Sequence, residues 1–118
     1  VENTPLARAM IRGTITRDAY ADWLAQMGHI HQSLEAAMAG CPEVAAVYVP
    51  AEMDRTGVIT RDRAAFPEAA DPFPWEAVSR LGGRFAEWRE GAPGKLLAAG
   101  YVLEGSRRGS RALARPLA

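Results

Sequence analysis

The chain has one cysteine, Cys41, in 118 residues. An intramolecular disulfide is therefore excluded, and no C-x-x-C pair exists for redox chemistry or zinc. Neither sign of charge is in excess: 14 basic and 14 acidic residues balance to zero. No global field directs the chain toward nucleic acid or an anionic membrane. Long apolar runs are also missing, since the longest, such as 96–103, reach only about eight residues against the roughly twenty a spanning helix needs. No signal-peptide pattern is present. Repeats, heptads and low-complexity tracts are absent, and strand-like alternation is confined to 44–49. Together these absences predict one soluble, cytoplasmic, all-α domain over residues 1–118.

Several chemistries are excluded by what the motifs lack. The serines have no Gly-x-Ser-x-Gly elbow, and Cys41 precedes Pro42 without basic neighbours, so no activated nucleophile is indicated. Leu81-Gly82-Gly83 has neither a preceding strand nor a following Lys-Ser or Lys-Thr pair and is no phosphate loop. Glu35, Glu52 and Glu104 lack a histidine three positions on, which argues against a helical diiron site. His29 and His31 are two apart, on nearly opposite helix faces, and cannot share one metal ion. No metal site is predicted.

Helix signals fill most of the chain. Thr4-Pro5 opens a short helix that Gly13 stops. Thr16, with Asp18 and Ala19, opens a long one with Tyr20, Trp23, Leu24, Met27, Ile30, His31, Leu34 and Met38 at three- and four-residue steps, ended by Gly40-Cys41-Pro42. After a proline-rich loop at 67–74, Pro74 starts a helix with the stripe Trp75, Val78, Leu81, Phe85 and Trp88, broken at Gly91-Ala92-Pro93. A last helix runs from near Pro93 to about Ala114, because Pro116 forbids much extension.

That last helix places small residues where a helix tolerates them least. Gly105 and Gly109 are four apart, and Ser106 and Ser110 repeat the spacing one position on. Each interior glycine costs about 1 kcal/mol relative to alanine. The four residues form a strip of bare backbone against which something flat or close-packed can lie. A closely approaching helix, or a helix that simply ends near Gly105, would serve equally well. Arg107, Arg108, Arg111 and Arg115 crowd the same end, either as a solvated face or as partners for anionic groups.

The run from Leu96 to Ser106, followed by Gly109, resembles the distal-helix signature of bacterial heme oxygenases. Val1-Glu2-Asn3, then Gly13 to Tyr20, then His29-Ile30-His31 with Leu34-Glu35, is similar to the first two helices of that family. Val47 to Thr56, running on to Asp62, is similar to its proline-started helix, which predicts a helix from Pro50 to about Phe66 here. The three segments follow the family's order.

The resemblance implies a shortened heme-oxygenase-like multihelical bundle, with the second helix packed on the Tyr101–Ala114 stretch. It implies oxidative opening of heme to biliverdin, carbon monoxide and iron, using oxygen and electrons from a ferredoxin- or flavoprotein-type reductase, with heme as both substrate and cofactor. Gly105, Ser106 and Gly109 fall at catalytic positions; Glu2, His31, Gly105, Gly109 and Ser110 fall at heme-binding ones. Glycine at 105 and 109 lets the backbone approach the macrocycle. His31 matches a position near the family's distal water network, while its place on the apolar stripe also suits a core histidine.

The chain departs from the pattern in three respects. The axial histidine is expected a few residues before Glu2, ahead of Val1. In the distal helix, Ser106 stands where many members place a residue of the proton-delivering water network, Ser110 replaces the second glycine of the usual pair, and Arg108 stands where an apolar residue is more usual. Helices that close the pocket are expected beyond Ala118. The alternative function is a non-catalytic helical domain that binds heme weakly or another planar ligand.

Overall fold

A computed structural model describes Pro5, Arg8, residues 12–48, 54–67 and 72–114, and side chains only as far as residue 104. The described residues form α1 (Arg17–Ala39), α2 (Pro42–Ala45), α3 (Thr56–Arg63), α4 (Glu76–Gly91) and α5 (Pro93–Ala114), with no strand among them. The all-α reading therefore holds. No described helix is long and apolar enough to cross a membrane.

The ends of α1 follow the local sequence. Thr16 accepts from the Ala19 amide at 3.1 Å, which satisfies one of the four amides a helix start leaves unpaired. Gly40 closes the other end, donating to Ala36 O at 3.3 Å. Ahead of α1, Gly13 turns at φ +69°, the only left-handed backbone among the described residues, as a glycine stop requires. The alternation at 44–49 does not become a strand, because Pro42 starts the single turn of α2, which drives Val44 to full burial.

The core lies where α1, α2, α4 and α5 converge on Leu34, Met38, Cys41, Val44, Phe85 and Leu96. Along α4, Val78 and Phe85 are buried as the stripe predicts. Trp75 departs from it, being 45% exposed and lying before the first helical residue, Glu76. The cause is Gln26, which is 2% exposed. Its Oε1 accepts from the Trp75 amide at 2.8 Å, and its Nε2 donates to Phe73 O at 3.1 Å. His29 Nε2 adds a contact to Pro72 O at 3.1 Å. Backbone groups held by α1 in this way are extended, so α4 starts two residues after Pro74.

Two further expectations need correction. The helix predicted from Pro50 to Phe66 is shorter: Asp54 and Arg55 are not helical, α3 begins at Thr56, and Pro50 lies outside the described residues. Its end tightens into bonds from Ala64, Ala65 and Phe66 to residues three back, because the position before Pro67 disfavours helical backbone. The second correction concerns packing. The principal partners of α1 are α4 and α3, and it touches α5 more lightly, with Met38 against Gly100. Tyr101 is 82% exposed and does not face α1. The stripe residue Tyr20 packs instead on Phe66, ring centroids 5.6 Å apart, with Arg17 over the same ring at 4.5 Å.

Candidate functional site

Two features occupy the region to which the sequence points. The first is a polar cluster where α1, the start of α3 and α5 meet. Glu35 sits on α1, one turn after His31, and its carboxylate reaches the α3 start. It accepts from the Arg55 amide at 3.3 Å, from the Thr56 amide at 3.3 Å and from the Thr56 hydroxyl at 2.8 Å. A helix whose own N-cap residue, Arg55, makes no capping bond is thus capped by a side chain from another helix. The Arg55 guanidinium extends to Glu104 of α5 at 3.9 Å.

His31 is half-buried in this cluster, its Nδ1 3.9 Å from Glu35 Oε2. Burial, and then the Arg55 charge, push its pKa below the ordinary imidazole value. The neighbouring carboxylate does not reverse this, because 3.9 Å is too long for a hydrogen bond and the Glu35 oxygens are engaged by the α3 amides. His31 is therefore a neutral imidazole near pH 7. Burial, followed by the Glu35 carboxylate, pushes the Asp54 carboxyl above its usual range. Asp54 Oδ1, Arg55 Nε and Tyr48 OH are buried without a hydrogen-bond partner among the described residues. No group of three His, Cys, Asp or Glu side chains able to hold a metal ion occurs among them.

The second feature is the open side of α5. Leu96, Ala99 and Leu103 pack toward the core, whereas Leu97 and Tyr101 are 40% and 82% exposed. Gly105 and Gly109 follow Leu97 and Tyr101 at the same four-residue spacing in unbroken helical backbone.

Of the residues singled out from the sequence, His31 belongs to the polar cluster. Gly105, Ser106, Gly109 and Ser110 lie within α5, with their side chains outside what is described. Glu2 lies outside the described residues. Glu104, the neighbour of Gly105, joins the two features through Arg55. Asp54 and Arg55 were not singled out as functional residues, and only the His31-to-Glu35 step of four positions signals that an α1 face gathers polar groups there. A surface depression of about 290 Å³ lined by Ala21, Thr60, Arg63, Ala64, Phe66 and Pro67 involves none of these residues.

A family model described as heme oxygenase matches residues 1–110. No curated protein and no solved structure matches the chain.

Proposed function

Because the chain belongs to the heme oxygenase family, we propose that residues 1–118 act as one domain that takes heme as substrate and opens it to biliverdin, carbon monoxide and iron. The observation that carries this reading is the open row on α5, where Leu97 and Tyr101 stand exposed and Gly105 and Gly109 follow at the same spacing. Bound heme supplies the iron at which oxygen is reduced and is also the molecule consumed. Electrons come from a separate reductase of ferredoxin or flavoprotein type, and the reaction takes place in the cytoplasm.

Within that reading, Gly105 and Gly109 would let the backbone approach the macrocycle, which a Cβ would hinder. Ser106 would supply a hydroxyl able to hold and pass a proton, and Ser110 repeats that hydroxyl four positions on. Glu2 is the further heme-binding residue that the family resemblance implies. His31 contributes a neutral imidazole, able to accept or donate one hydrogen bond near pH 7. It stands in the polar cluster that includes Glu35 and Arg55, whose guanidinium lies 3.9 Å from Glu104, the neighbour of Gly105.

Titration with hemin, followed by addition of oxygen and a reductant, tests the reading. A Soret shift that saturates at one hemin per chain, followed by appearance of a bile-pigment spectrum, is the expected result. Saturable binding without pigment would replace the enzyme with a heme-binding domain, and no Soret shift at all would end both.

A further inference from the structure

The contacts that hold α5 differ around its circumference. On one side, Leu96, Ala99 and Leu103 face the core. On the next, Gly100 admits the Met38 methyl to 2.8 Å from where a Cβ would stand. Adjoining it, Glu104 meets Arg55 at 3.9 Å, the two side chains 37% and 23% exposed. The Arg55 backbone is held by its amide, which donates to Glu35 at 3.3 Å, and its Nε is enclosed without a hydrogen-bond partner among the described residues, which leaves Glu104 as the partner its guanidinium reaches. Gly105 lies about 100° further round than Glu104, on the open side.

We propose that Arg55 is a positioning residue for the glycine row: through Glu104 it sets the rotation of α5 about its own axis, so that Gly105 and Gly109 face outward. A rotation of about 20° on a Cα cylinder of about 2.3 Å radius moves the backbone by about 0.8 Å. That sideways shift moves the glycine positions along the face and turns neighbouring residues that carry a Cβ toward a flat group lying against it. Only the consequence for heme rests on the function proposed above; the rotational tie exists without it.

The experiment is amide hydrogen exchange on the protein without hemin, for wild type, Arg55→Gln, Glu104→Gln, the double variant and Arg55→Lys. Either glutamine variant should speed exchange across 103–109 by about three- to fivefold, the size expected of a partly exposed ion pair, with the α1 and α4 amides unchanged. The double variant should add nothing further, and Arg55→Lys, which keeps the charge, should stay within about twofold of wild type. Unchanged exchange in Glu104→Gln, or additive effects in the double variant, would overturn the tie, and Glu104→Gln decides the matter even if Arg55→Gln disturbs α3. Hemin affinity of the glutamine variants should fall about threefold or more, with Arg55→Lys close to wild type. Faster exchange with undiminished hemin affinity would keep the tie and overturn heme contact at the row.

Discussion

Glu35 accepts from Thr56 twice, from the hydroxyl at 2.8 Å and from the amide at 3.3 Å, so a side chain 21 positions earlier anchors the first residue of α3. This relationship defines where α3 begins and brings Arg55 within reach of Glu104. It also explains why the residues of α3 form a helix at all. The segment has no self-capping residue and no buried side chain, and its β-branched Thr56, Val58 and Ile59 are indifferent helix formers.

Glu35→Ala should therefore cost more than an ordinary surface substitution, about 1–3 kcal/mol, because it leaves the Arg55 and Thr56 amides without their acceptor. Urea denaturation at pH 7 measures the loss. Glu35→Gln, which keeps an acceptor oxygen, should fall between wild type and alanine. A cost below about 0.5 kcal/mol for Glu35→Ala would mean that solvent caps α3 equally well.

The same accounting applies to Gln26, whose amide group bonds Asp22, Phe73 and Trp75 from a site 2% exposed. Gln26→Leu removes the partner of the Trp75 amide and of Phe73 O together, and the expected cost is about 2–4 kcal/mol. The loop before α4 should loosen first. Faster amide exchange at Trp75 than in the centre of α4 would show it, and equal exchange at the two places would refute the pinning.

These cases mark what is legible in the sequence. The ends of α1 and the break at Ala92 can be read locally, since Thr16, Gly40 and Pro93 act on their own neighbours. The stripe of α4 is legible for Val78 and Phe85, and the glycine spacing of α5 is visible as a pattern. The starts of α3 and α4 are not legible, because side chains of α1 hold them across long sequence separations, Glu35 at Thr56 and Gln26 at Trp75. Family resemblance points to the outward row of α5, but only packing reveals that Tyr101 faces away from α1. The Arg55–Glu104 contact has no sequence signal, since neither residue lies in a local pattern with the other.

The pH dependence of stability separates His31 from Asp54. The imidazole of His31 is pushed below its ordinary pKa of about 6.5 by burial and then by Arg55. As the pH falls through about 6.5, the unfolded chain takes up this proton before the folded one, so stability declines and then levels off below the folded pKa. Asp54 has the opposite sign: burial and then Glu35 raise its folded pKa, so the folded state takes up the proton first and its penalty at neutral pH is relieved on acidification. Denaturation of wild type, His31→Asn and Asp54→Asn at pH 7.5 and 5.5 tests both. His31→Asn should flatten the decline between those pH values, and Asp54→Asn should be more stable than wild type at pH 7.5. A His31→Asn profile parallel to wild type would exclude a buried neutral imidazole.

The glycine row gives the sharpest contrast, because alanine there should change sign between the empty and the heme-bound protein. Gly105 and Gly109 continue the exposed Leu97 and Tyr101 row in regular helix. Where nothing packs on the row, a methyl group costs nothing in the fold and restricts the unfolded chain, so Gly105→Ala and Gly109→Ala should each stabilise the protein without heme by about 0.4–1 kcal/mol. With heme lying against the row, the same methyl overpacks a contact between flat surfaces and should weaken hemin binding by about 1–3 kcal/mol, which is roughly five- to a hundredfold in affinity. Thermal melts without hemin and Soret titrations with it, run on both variants, measure the two signs separately. A pair of variants that melts higher and binds hemin as wild type does would remove the row from the heme face, whereas variants that melt lower without hemin would show that the row is already covered by protein.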